Sequence, residues 1–85
     1  MINIAITVFD GKEVQAVYVR AADGSLIDTK DMQSVKEYVA DFLCSDDDID
    51  FSIEKFSPFG KFCVMHYNSD LVSNEILVTW EHVQS

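Results

Sequence analysis

The residues that could do chemistry in this chain are mostly carboxylates: fifteen Asp and Glu stand against six Lys and Arg, a formal net charge of −9 over 85 residues. The densest group is Asp46-Asp47-Asp48-Ile49-Asp50, four acids in five positions. Asp46, Asp48 and Asp50 fall where positions 1, 3 and 5 of a calcium-binding EF-hand loop would lie. That loop also needs Gly at position 6, for its sharp turn, and a bidentate Glu at position 12. The chain has Phe51 and Ser57 there, so the run reads as a solvated acidic loop rather than a calcium site.

Cys44, Cys63, His66 and His82 are enough in number for a structural zinc site. Cys63 and His66, however, lie three apart in a run that alternates like a strand, so their side chains leave opposite faces. The same separation removes a Cys–His nucleophile pair, which needs the imidazole within hydrogen-bond reach of the sulfur. The two cysteines fit buried free thiols in a reducing compartment better than a disulfide framework. Paired carboxylates do acid–base work where a pocket drives their pKa values apart, but these acids belong to a polar loop. Gly11, Gly24 and Gly60 are each accounted for by a turn, which leaves no glycine-rich phosphate cradle. Phe56, Phe59, Phe62 and Tyr67 lack the basic groove of a base-stacking platform. No catalytic motif, metal site or cofactor is expected.

The elements that must position these residues follow from periodicity. Ile2, Ile4, Ile6 and Val8 alternate with Asn3, Ala5, Thr7 and Phe9, the pattern of a strand, and Asp10-Gly11 follows as a two-residue hairpin signal. Closing the hairpin there sets Phe9 opposite Lys12, Ile4 opposite Val17 and Ile2 opposite Val19. The expected core face is Ile2, Ile4, Ile6, Val8, Val17 and Val19, with Asn3, Ala5, Thr7, Val14, Ala16 and Tyr18 on the other. From Asp28 the spacing turns helical, with Met32, Val35, Tyr38, Val39, Phe42 and Leu43 on one stripe and Asp28, Thr29 or Asp31 able to cap it.

Phe51 to Phe56 alternates again, and Ser57-Pro58-Phe59-Gly60 suits a type I turn with a glycine bulge. That register pairs Phe56 with Phe62, Ile53 with Met65 and Phe51 with Tyr67. Glu75 to Val83 supplies a last strand. The expectation is one α+β domain over residues 1–85, in ββαβββ order: a mostly antiparallel five-stranded sheet with one helix packed on one face.

The charge narrows the function. A field of this sign repels phosphate and anionic lipid, so direct nucleic acid or membrane-surface binding is disfavoured and a basic protein partner is favoured. No apolar run reaches the roughly 18 residues of a membrane span, and no signal-peptide pattern opens the chain, so a cytoplasmic location is expected. Glu37 and Asp41, spaced i, i+4, carry the acidic run onto the helix. Acids near a helix C-terminus oppose its dipole, which makes better sense if they serve binding rather than stability. In an extended loop alternate residues rise about 6.6 Å, a spacing comparable to phosphates along a strand. The expected contact residues are Glu37, Asp41, Asp46, Asp47, Asp48 and Asp50, with Glu54 at the margin.

In size, charge and α+β character the chain resembles small phage-encoded DNA-mimic inhibitors, the anti-CRISPR and anti-restriction proteins among them. The resemblance rests on those three properties, and no residue role is carried over from it. It implies inhibition of a basic, nucleic-acid-binding protein by charge mimicry. An immunity or antitoxin protein neutralising a basic nuclease would use the same electrostatics. A structural or adaptor domain, whose charge serves only solubility, is the reading from a different class. Either a monomer or a homodimer is compatible with the sequence.

Overall fold

The computed structural model describes residues 1–43, 50–68 and 73–83. Its elements are β1 (Ile2–Asp10), β2 (Glu13–Ala22), α1 (Met32–Leu43), β3 (Asp50–Ser57), β4 (Phe62–Asn68) and β5 (Ser73–His82). The ββαβββ α+β fold expected from the sequence is the one observed. The five strands form one sheet in the order β2-β1-β5-β4-β3, antiparallel at every pairing. The first and last strands are therefore neighbours near the centre, and α1 carries the chain from one edge, β2, to the other, β3.

One face of the sheet packs on the helix. Ile2, Ile4 and Ile6 from β1, Ile76, Val78 and Trp80 from β5, Cys63 and Met65 from β4 and Phe51 from β3 are buried together with Val35 and Val39 of α1. The period of two in the strands and of three to four in the helix supplies this face directly. The helix start is polar. Asp31 Oδ1 accepts from the Gln33 N–H at 3.1 Å as the N-cap, and Asp28 Oδ1 accepts from the Lys30 N–H at 3.0 Å. Met32, placed on the apolar stripe by its spacing, is exposed at the first helical position.

The β1–β2 register departs from the sequence expectation. Asp10 pairs with Glu13, so Gly11 and Lys12 are the central turn residues, and Gly11 alone takes a positive φ, 65°. That change by itself would keep Val17 and Val19 inward. Val8 then pairs with Ala16 while Phe9 pairs with Val14, which leaves Gln15 as an extra residue, a β-bulge. One added residue turns every later side chain to the opposite face. Ile4 lies opposite Arg20 and Ile2 opposite Ala22, so Ala16, Tyr18 and Ala22 face the helix. Val17 and Val19 point away from it, 57% and 63% exposed.

A second bulge corrects the β3–β4 hairpin. Phe51 pairs with Tyr67 and Ile53 with Met65 as expected, but Lys55 pairs with Val64, so Glu54 is the extra residue. Phe56 consequently lies opposite Cys63, not Phe62, and turns into the core, its ring 6.1 Å from Trp80. Phe62 lies opposite Ser57. In the connecting turn the positive φ belongs to Lys61, 59°, rather than to Gly60.

Candidate protein-binding surface

Because Val35 and Val39 point into the core, positions 37 and 41 point out, and Glu37 and Asp41 are both exposed. Glu37 accepts from Gln33 Nε2 at 3.3 Å. Beside the two acids runs an open groove of about 400 Å³ lined by Leu26, Ser34, Glu37, Tyr38, Asp41 and Phe42. Phe42 fixes which side of the helix this is. Its ring meets Tyr18 edge-on at 5.3 Å and lies 5.2 Å under the Arg20 guanidinium, both on β2. The acidic groove therefore flanks the β2 edge. Neither acid has a cationic partner among the described residues.

Glu54 sits elsewhere. As the bulged residue of β3 it lies on the sheet face turned away from the helix, where its Oε2 is 2.7 Å from His66 Nε2. With His66 protonated this is the one ion pair among the described residues. Glu54 thus belongs to a different surface from Glu37 and Asp41. The Asp50 backbone opens β3, pairing with Asn68. Asp46, Asp47 and Asp48 lie outside the described residues.

Among the described residues the face away from the helix has no layer over it, and the observed registers order its side chains into rows. Val19, Ala5, Thr79 and Phe62 form one row across β2, β1, β5 and β4; Val17, Thr7, Leu77 and Val64 form the next. Sequence reasoning placed Val17 and Val19 in the core and so missed that these rows are continuous. Only the bulge at Gln15 creates them, and nothing in the local sequence marks it.

The remaining candidates resolve more simply. Cys63 is fully buried on the helix-facing side of β4 while His66 faces the other way, as their spacing indicated. Burial pushes the Cys63 thiol up to about 11, the opposite of what a nucleophile needs. Phe51 is core, with its ring 5.2 Å from Tyr67, and Phe59 is exposed at the turn. At the end of the sheet near the C-terminus of α1, Val8, Gln15, Ala16, Tyr18, Leu43, Tyr67, Asn74 and Ile76 line an open cavity of about 520 Å³. Among the described residues its lining holds amides, phenols and aliphatic groups but no carboxylate, imidazole or thiol. Among the described residues no three His, Cys, Asp or Glu side chains converge on a metal-sized site, and no helix is long and apolar enough to cross a membrane.

Known proteins add no assignment. The chain matches no protein-family model, no curated protein and no solved structure. Two surfaces remain as candidates, the acidic groove beside α1 and the open face of the sheet, whose central rows are uncharged.

Proposed function

We propose that this is a small acidic binding protein that inhibits a basic, nucleic-acid-binding partner by presenting carboxylates in place of phosphates. The observation that carries the reading is the exposed Glu37–Asp41 pair, set along a groove with no cation on either acid among the described residues, in a chain of net charge −9. Like charges at i, i+4 cost a few tenths of a kcal/mol, and Asp41 stands in the last helical turn, where the dipole disfavours an acid. Arg and Lys of a partner would meet these groups as charge-assisted hydrogen bonds. Asp46, Asp47, Asp48 and Asp50 continue the acidic stretch in sequence and complete the proposed contact set, while Glu54, expected at its margin, is held by His66 on the other face of the sheet and stands apart from it. An immunity protein blocking a basic nuclease is the same chemistry directed at a different partner.

The test is capture of partners by the full chain at low and at high salt, followed by affinity measurement with Asp46, Asp47 and Asp48 all changed to Asn. A charge-driven contact weakens with salt and loses both affinity and salt dependence in the variant. Unchanged affinity in the variant would sink the reading. The adaptor reading has one observation in its favour, the uncovered sheet face, and a salt-insensitive partner whose binding depends on Val17 and Val19 would support it instead.

A further inference from the structure

Among the described residues the sheet face opposite α1 is uncovered, and its centre is largely apolar. Its two central rows, Val19-Ala5-Thr79-Phe62 and Val17-Thr7-Leu77-Val64, contain no ionisable group. Among the described residues charge on this face lies at the rim: Glu75 and His66 follow Phe9 and Val14 in the next row, with Glu54 on His66, Glu81 joins Asn3 and Ala21 at the other side, and Lys55 lies beside Val64 with its Nζ 5.5 Å over the Phe62 ring. On a chain of net charge −9, these two rows form an uncharged patch. We infer that it is the interface of a homodimer in which two copies stack sheet on sheet, helices outward.

Three considerations select a second copy as the occupant. The first is charge: a basic partner finds no acid to meet in the two rows, whereas an identical uncharged patch matches them and leaves the charged groups at the rim of the contact. The second is long-range repulsion. Two copies at this net charge repel, and stacking through this face keeps the Glu37 and Asp41 groups of each on the far side of its own sheet. The third is area. Five strands about 4.8 Å apart, each rising about 3.3 Å per residue, give a face on the order of 650 Å² with its charged rim included. Two such faces together bury about 1,300 Å², inside the range of stable specific interfaces. Sheets stacked this way lie about 10 Å apart with strands within about 30° of alignment. The two acidic grooves would then point outward, giving a bivalent particle; the dimer itself does not depend on what those grooves bind.

Sedimentation velocity on the full chain, from micromolar to millimolar, tests the inference. It predicts a concentration-dependent species of about twice the 9.6 kDa chain mass, favoured by added salt because salt screens the repulsion. A monomer across the whole range overturns it. Thr7→Lys and Val17→Lys each place a charge in the rows and should weaken association at least tenfold, as burial of an unpaired charge requires. Glu37→Gln, with the same change in net charge but on the helix, should leave it intact or tighter. If Val17→Lys breaks the dimer and Thr7→Lys does not, the copies pair through the β2 edge and the stacked arrangement is wrong. Should the Lys variants fail to fold, methyl NMR of the wild type decides. Concentration-dependent shifts at Val17, Val19, Leu77 and Val64, with Val35 and Val39 unmoved, support the stack, and shifts absent from those four overturn it.

Discussion

The Asn74 side-chain amide donates to the Phe9 carbonyl at 2.9 Å, across 65 residues of chain, and to Gln15 Oε1 at 3.2 Å. Phe9 is where the β1–β2 register shifts, and Gln15 is the residue the shift leaves over. Both hydrogens of one amide, on a side chain only 6% exposed, thus fasten the bulge to β5. Since the bulge turns Val17 and Val19 outward, this contact connects the core to the open face. Asn74→Leu removes both bonds and leaves the Phe9 carbonyl short of a donor. The expected cost is about 1–3 kcal/mol, seen as a fall in melting temperature on the order of 5–15 °C. An unchanged melting temperature would mean that the bulge is held by other contacts.

The turn between β3 and β4 divides its demands between two residues. Gly60 is needed for space, because a Cβ there would meet Phe62 Cε1 and Ser57 Oγ, each at 2.8 Å. Its N–H donates to that same Ser57 Oγ at 3.0 Å. Lys61 holds the positive φ without a side chain suited to it. Gly60→Ala should destabilise by about 1 kcal/mol or more, while Lys61→Gly should stabilise by up to about 1 kcal/mol. Urea denaturation of the pair checks the opposite signs.

How much of this was legible in the sequence depends on whether a residue's face was fixed by pattern or by register. Ile76, Val78 and Trp80 alternate over a strand with no bulge, and all three are buried. Val35 and Val39 follow from helical spacing in the same way. Val17 and Val19 alternate just as clearly, yet alternation gives only relative faces, and Gln15 shifts them all together. Glu54 does the same to Phe56, whose pairing with Phe62 was expected and whose partner is Cys63. At the candidate surface, Glu37 and Asp41 were readable as outward from the helix period alone. That Glu54 would lie on the opposite face with His66 required the sheet to be assembled.

Cys63 makes stability fall at alkaline pH. Its thiol is raised from 9.0 to about 11 by burial, so between those values the unfolded chain releases a proton that the folded chain keeps. The unfolded state then binds fewer protons, and stability drops with a slope of roughly 1.4 kcal/mol per pH unit from pH 9 to 11, with no effect of this thiol below pH 8. Cys63→Ala, although less stable at neutral pH, should lack that slope. Denaturant midpoints for both proteins across this pH range decide it, and parallel curves would contradict the assignment.

The exposed acids of α1 should cost stability rather than supply it. Asp41→Asn relieves repulsion with Glu37 and an unfavourable position near the helix C-terminus, so it should stabilise by a few tenths of a kcal/mol to about 1 kcal/mol. The gain should be larger at low salt. A clear loss of stability in thermal melts at both ionic strengths would assign Asp41 a structural role.

If the acids stand in for nucleic acid phosphate, duplex DNA and this protein compete for one surface of the partner. The protein is immobilised, its captured partner is allowed to bind, and duplex DNA is titrated against the complex at constant ionic strength. DNA should displace the partner, with a lower DNA concentration sufficing when Glu37 and Asp41 are changed to Gln and Asn. A partner that DNA cannot displace at any concentration, or one bound equally well by the variant, would contradict it.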